Sequence, residues 1–168
     1  MNYITAPFSN SIVRSNFNSG NPTLDRYIKE QASQDIKGMI SAVFVWLDQN
    51  KQVIGYYTLA NDNVNRNEVP EAVMRKMPKS FENLPTTLLG RLAVDLKYQR
   101  IGKGQILLFD ALKKAYYNSL EIGSLAVVVD PSNENAIEFY SKFGFIKLPD
   151  RGRMFLTMKT IKQTMLNE

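Results

Sequence analysis

Two short segments of this chain hold residue types whose spacing could do chemistry. The first is "YQRIGKGQILL", residues 98 to 108, where Gly102 and Gly104 stand one residue apart with Lys97, Arg100 and Lys103 close by. A strand that ends in such a loop and then opens a helix is an anion site by geometry. The first amides of a helix have no internal partners, and the helix dipole favours negative charge. Glycines let a phosphate approach the backbone closely. An ordinary strand-to-helix connection would carry the same spacing. Two nucleotide motifs are excluded: the P-loop needs Gly-Lys-Ser/Thr, but Gly104 follows Gly102-Lys103. The dinucleotide fingerprint needs a third glycine where Leu107 stands. The second segment is "NENAIEFYSKFGF", Asn133 to Phe145, which places Asn133, Ala136 and Tyr140 at helical spacing. Aromatics at this spacing more commonly form a core stripe; the alternative makes Tyr140 a proton donor, because a half-buried hydroxyl needs a polar partner or a substrate.

What is missing narrows the chemistry further. The chain has no cysteine and no histidine among its 168 residues. Disulfides, thiolate nucleophiles, Cys- or His-based metal sites and Ser-His-Asp catalysis are therefore excluded. An enzyme built from this sequence must use carboxylates, tyrosine, lysine, backbone amides or a bound cofactor. The net charge is +5, and the positive charge is clustered. Arg66 to Lys103 holds eight Lys or Arg against four acids, and Lys147 to Lys162 five against one. Such clusters attract nucleic acid or a phosphorylated cofactor, or they form a solvated basic surface.

The elements that must position these segments can be read from periodicity. Length and composition point to one domain with a substantial core. No apolar run is long enough for a membrane span, and "MNYITAPFSN" is not a secretory signal, so a cytoplasmic location is expected. Asn21-Pro22 starts a helix, with Leu24, Tyr27, Ile28 and Gln31 at helical spacing. "AVFVWLDQNKQVIGYYTLA" reads as a hairpin turning at Asp48 to Lys51. Residues 61 to 86, interrupted by Pro70, Pro78 and Pro85, read as a long surface excursion with one short helix near Glu71 to Lys76. "TTLLGRLAVD" is a strand ending at Asp95, followed by the glycine loop and a helix to about Asn118. "LAVVVD" is a strand covered on both faces, and a helix from about Asn133 stops at Gly144, with Asp130, Ser132 and Asn133 competing to cap it. "FIKL" and "MFLTMK", separated by Pro149 to Gly152, close the chain as strand, turn and strand. The order is that of a mixed α/β layer with at least one strand–helix–strand crossover.

Together the two segments resemble the GNAT family of acetyl-CoA-dependent N-acetyltransferases. Gln99, Gly102 and Gly104 match its Gln-x-x-Gly-x-Gly pyrophosphate turn. Asn133, Ala136, Phe139, Tyr140, Gly144 and Phe145 match its later helix. The resemblance implies a single domain over residues 1–168, with a largely antiparallel central sheet flanked by helices and a splayed parallel strand pair that binds acetyl-CoA. That pair would be Arg91–Asp95 and Ala126–Asp130. Backbone groups of Leu92, Ala93 and Val94 would hold the pantetheine arm. Gln99 and the amides of Arg100, Ile101, Gly102, Lys103 and Gly104 would hold the pyrophosphate, with Asn133 steadying the arm. Tyr140 would be the general acid for the departing thiolate, and no metal is implied.

A narrower resemblance, to the toxin acetyltransferases of bacterial toxin–antitoxin pairs, rests on "FNSGNPTLDRYIKEQASQD", "VIGYYTLA", the Met-Pro and Leu-Pro pairs and "GRLAVD". It implies acetylation of the α-amine of aminoacyl-tRNA and a block of translation. Arg75, Lys76, Lys79, Arg91 and Lys97 would then form a track for the tRNA acceptor end. It also implies an antitoxin partner and a homodimer. The alternatives are transfer to a small amine or a protein N-terminus, or a non-catalytic module that binds acetyl-CoA.

Overall fold

The computed structural model describes residues 2–149 and 152–167. The chain runs β1 (Ala6–Pro7), α1 (Pro22–Arg26), a π-helical turn (Tyr27–Gln31), α2 (Ala32–Lys37), β2 (Ala42–Leu47), β3 (Val53–Asn65), α3 (Glu71–Met74) and β4 (Asn83–Val94). It continues through α4 (Lys103–Glu121), β5 (Ala126–Val129), α5 (Glu134–Lys142), β6 (Ile146–Lys147), β7 (Met154–Thr157) and α6 (Met158–Leu166). The strands form one sheet in the order β1-β2-β3-β4-β5-β7-β6. β1–β2, β2–β3, β5–β7 and β6–β7 pair antiparallel. β4 and β5 are the parallel pair, with Thr87 opposite Val127 and Leu88 opposite Val128. This is the expected mixed, largely antiparallel sheet with helices around it. No helix among the described residues is long and apolar enough to cross a membrane.

The chain divides into two compact units, Met1–Ala60 with Leu89–Leu112, and Asn61–Leu88 with Lys113–Glu168. They interleave in sequence, so neither is a contiguous piece that could be cut out.

In the first unit, Ile12, Phe17, Tyr27, Val45 and Tyr56 pack into one buried cluster. Asn21 caps α1 as its sequence requires, accepting from the amides of Thr23 (3.0 Å) and Leu24 (3.3 Å). The expected hairpin forms because Asp48 Oδ1 accepts from the amides of Asn50 and Gln52, closing the turn. Gly55 in β3 is dictated by close approach: a Cβ there would lie 2.8 Å from the Ala93 carbonyl oxygen. α4 is tied down by buried Asp110, which accepts from Ile4 N (2.8 Å), Thr5 Oγ1 (2.5 Å) and Tyr57 Oη (2.8 Å).

In the second unit, Val64, Leu84, Ala126, Val128 and Phe155 form a separate buried cluster. The excursion is shorter than expected, because β3 runs on to Asn65 and β4 already begins at Asn83. Polar "NDNVN" offers only Val64 to the core, so its strand character depends on pairing rather than pattern. What remains of the excursion is gathered around Arg66. Its Nη1 donates to the carbonyls of Pro78 and Phe81, and its Nη2 to those of Met74 and Met77. The short helix lies at Glu71–Met74, inside the expected window.

The chain end departs from expectation. The strand stops at Thr157, whose hydroxyl accepts from Thr160 N (3.2 Å) and caps α6. Met158 and Ile161, three residues apart and both buried, carry a helical period in a stretch whose composition reads as strand. β1, two residues long, has no sequence signal. The turn expected at Pro149 to Gly152 lies partly outside the described residues, since Asp150 and Arg151 are not among them.

Candidate functional site

The first unit builds the glycine loop from below. Asp95, buried at the end of β4, accepts from the amides of Asn18 and Lys97, both at 3.0 Å. Gln99 Nε2 donates to the carbonyls of Val94 (2.7 Å) and Ser19 (2.8 Å), so this side-chain amide staples the loop to its own strand. Arg100 (φ 63°) and Gly102 (φ 83°) then adopt left-handed backbone on either side of Ile101, and α4 begins at Lys103. Left-handed residues of this kind turn peptide N–H groups into an anion-binding concavity, here at the start of a 19-residue helix. Gly104 is the second residue of that helix. Lys103 is aimed by aromatic rings, its ammonium 4.5 Å from the ring centroid of Trp46 and 5.9 Å from that of Tyr98. Sequence reasoning did not single out Trp46, the only tryptophan of the chain; its one signal is a large aromatic side chain in the hairpin.

Leu92, Ala93 and Val94 lie on β4, with Ala93 and Val94 buried. Arg91, half-buried on the same strand, stacks its guanidinium 3.6 Å over the Tyr27 ring. The Tyr27 hydroxyl donates to Asp35 Oδ2 at 2.9 Å, and burial followed by that hydrogen bond pushes its pKa up to about 12. Tyr27 therefore stays neutral and offers Arg91 a fixed face. Lys97 and Arg100 are exposed.

The second unit carries the other candidates. Of the three residues competing to cap α5, Asn133 does so, its Oδ1 accepting from Ala136 N at 2.8 Å. Tyr140 is 9% exposed, packed between the rings of Phe139 and Phe145 with centroids 5.2 Å away in each case. Burial alone raises its hydroxyl pKa above the ordinary tyrosine value. A tyrosine so placed holds its proton at neutral pH and can give it only to a base formed beside it. Arg75, Lys76 and Lys79 are exposed on the excursion, and Arg75 Nη2 makes a surface ion pair with Glu71 Oε1 at 2.8 Å. The first unit thus brings together Leu92, Ala93, Val94, the loop from Gln99 to Gly104, Arg91 and Lys97. Asn133, Tyr140, Arg75, Lys76 and Lys79 belong to the second. Among the described residues no group of three or more potential metal ligands occurs.

A model of the acetyltransferase (GNAT) family matches residues 10–145. A tRNA-acetylating toxin of Mycobacterium tuberculosis (strain ATCC 25618 / H37Rv) is 36% identical over 144 residues, 85% of this chain and 84% of that protein. Among solved structures, AtaT complexed with acetyl-methionyl-tRNAfMet is 26% identical with a TM-score of 0.88, covering 96% of this chain and 98% of that one. AtaTR bound with acetyl-CoA is 25% identical with a TM-score of 0.84, covering 96% of each chain.

Proposed function

The chain belongs to the acetyltransferase (GNAT) family, and on that premise we propose that it moves the acetyl group of acetyl-CoA onto the α-amine of aminoacyl-tRNA, so blocking translation as a toxin. The observation that carries the acceptor is the 36% identity, along most of both chains, to a tRNA-acetylating toxin. The donor is acetyl-CoA, as in the AtaTR structure. The left-handed turn at Arg100 and Gly102, opening α4, fits a pyrophosphate by its donor set of backbone N–H groups. Backbone groups of Leu92 to Val94 hold the pantetheine arm. Gln99 and Asn133, both committed to the backbone, act by holding the loop and α5 in place.

The chemistry is direct attack of an amine on the thioester. Tyr140 protonates the leaving sulfur, and its raised pKa keeps that proton available. The absence of histidine favours an α-amine acceptor. A lysine-type amine with a pKa of about 10.4 is almost wholly protonated at neutral pH, whereas an α-amine near 7.7 is already partly neutral. Arg91 on its tyrosine platform, with Lys97, Arg75, Lys76 and Lys79, supplies the positive charge that the acceptor end of tRNA requires. A toxin of this kind works in the cytoplasm, where charged tRNA is found, and needs a cognate antitoxin; a homodimer is the expected form.

Transfer of radiolabelled acetyl to charged tRNA, to the same tRNA deacylated and to a panel of small amines tests the reading. Label on charged tRNA alone is the expected result. Label on small amines with charged tRNA untouched would overturn the acceptor and keep the enzyme. Acetyl-CoA binding with no transfer to any amine would make the chain a binding module.

A further inference from the structure

One contact of the first unit has a shape that positive charge alone does not use. Arg91 Cζ lies 3.6 Å over the centroid of the Tyr27 ring. At that distance an edge-on guanidinium would drive a nitrogen into the ring, so the two planes lie flat on each other. Among the described residues the Arg91 side chain makes no hydrogen bond or ion pair, and no second ring covers it. The residue is half-buried, so part of its surface stays open to solvent. A guanidinium held this way presents a planar, weakly hydrated face, which is a surface for another flat π-system.

The ring beneath it is fixed from several sides. Tyr27 is 1% exposed and stacks on Tyr56, with centroids 6.1 Å apart and planes 17° from parallel. Its hydroxyl donates to Asp35 Oδ2 at 2.9 Å, and the Tyr56 hydroxyl donates to the Leu24 carbonyl at 2.6 Å. Tyr27 also opens the π-helical turn, whose wide bond runs from the Ala32 N–H to the Tyr27 carbonyl. Turns of this kind concentrate at functional sites. Side chains two apart on a strand share a face. Arg91 therefore shares its face of β4 with Ala93, which packs in the same buried cluster as Tyr27 and Tyr56. Its chain neighbour Leu92 begins the backbone stretch proposed for the pantetheine arm.

We infer that the guanidinium face of Arg91 is a stacking platform for the 3′-terminal base of the charged tRNA, with Tyr27 as its positioning residue; this rests on the acetyl-transfer reading. In aminoacyl-tRNA only a ribose separates the amino-acid ester from that base. An acceptor whose amine reaches a thioester held along Leu92 to Val94 therefore brings its base to the neighbourhood of Arg91. Unpaired RNA ends are commonly bound by stacking their bases on aromatic rings or on guanidinium planes. Stacking uses the plane of the guanidinium and involves no phosphate, so its contribution holds as salt rises. A phosphate contact uses the charge and weakens with salt.

The test uses small acceptors that carry no phosphate: 3′-adenosine esters of a panel of amino acids, each beside its methyl ester. For the wild type, kcat/KM should be roughly 5- to 150-fold higher on the adenosine ester. In Arg91→Ala that ratio should fall to about one, because the platform is gone. Arg91→Lys keeps the charge and loses the plane, so it should not restore the ratio. Tyr27→Phe keeps the ring and should retain the ratio, whereas Tyr27→Leu should lose it. Acetyl-CoA calorimetry and thermal melting on the same samples show which variants are folded; if Tyr27→Leu is not, the Arg91 variants decide alone. Equal use of the two esters by the wild type, or a preference that Arg91→Lys keeps, would overturn the stack. If charged tRNA is labelled and neither ester is, KM for charged tRNA over a salt series decides. An equal rise for Arg91→Ala at every salt concentration supports the stack, and a salt slope flattened by about 0.7–0.9 overturns it in favour of a phosphate contact. A wild type that labels small amines but no charged tRNA overturns the tRNA acceptor, and the ester ratio then judges the platform separately. A wild type that labels no amine overturns both.

Discussion

In the proposed reaction the loop before α4 and the helix α5 would offer substrates different parts of the chain. The loop offers backbone: Arg100 and Gly102 set its shape, while the side chain of Gln99 is turned inward to hold it and that of Lys103 rests over Trp46. α5 offers one side chain, Tyr140, and its capping Asn133 serves the helix itself. A backbone site depends on φ values and free space, and is indifferent to many side-chain changes. A side-chain site can be emptied by removing one atom while the packing around it stays.

The largest effect expected from this contrast is at Tyr140. Tyr140→Phe keeps the ring between Phe139 and Phe145 and removes only the hydroxyl. Turnover should fall by roughly 10²–10⁴-fold while acetyl-CoA affinity by calorimetry stays put. Full turnover would mean that the proton reaches sulfur by another route. Because burial raises this hydroxyl's pKa, the wild-type rate should show no falling limb as pH rises through the neutral range. It should instead rise as the α-amine loses its proton near about 7.7.

The loop breaks in the opposite way. Gly104→Glu places a carboxylate on the second residue of α4, against the helix N-terminus proposed for the pyrophosphate, and should abolish acetyl-CoA binding. Gly102→Ala is milder. A Cβ there meets nothing within 4 Å, so the cost is that of the left-handed backbone alone, about 1–2 kcal/mol. That corresponds to roughly 5- to 30-fold weaker binding if the loop gives up its shape. Normal calorimetric affinity in Gly104→Glu would place the cofactor elsewhere.

Asn133 sharpens the comparison from the other side. Asn133→Ala removes an N-cap and should lower stability by about 1 kcal/mol, read as a drop in melting temperature. Acetyl-CoA affinity should change little if the residue acts through α5. A fall in affinity with stability unchanged would return it to the cofactor's direct contacts.

Much of the fold and of the candidate site is legible in the sequence because glycine spacing and helix caps are local signals. Gly102 and Gly104 announce the loop, and Asn133, Tyr140 and Gly144 announce α5, each within a dozen residues. What escapes depends on partners distant in the chain. Gln99 can be placed in the motif but not its bonds to Ser19 and Val94, the first of which joins residues 80 apart. The ion pairs of Arg153 with Asp62 and Asp130 span 91 and 23 residues, and no periodicity foreshadows them. The far end of β3 escapes for a related reason, since polar "NDNVN" becomes strand through its neighbours. α6 is legible but easily misread: Met158 and Ile161 keep helical period behind a strand-like run.

The smallest expected effect separates the cations of the two units. Arg91 is half-buried and aimed by Tyr27, whereas Lys76 and Lys79 are exposed on the excursion. An aimed guanidinium makes a directed contact, so Arg91→Ala should raise KM for charged tRNA at every salt concentration. Exposed lysines act as diffuse charge. Lys76→Ala and Lys79→Ala should each change binding only slightly at high salt and flatten the slope of log affinity against log salt, by up to about 0.7–0.9 for each phosphate left unneutralised. Filter binding of charged tRNA over a salt series reads both quantities. If the lysine variants leave the slope unchanged, the excursion's positive charge is plain surface, and the tRNA track narrows to Arg91 and its neighbours on the first unit.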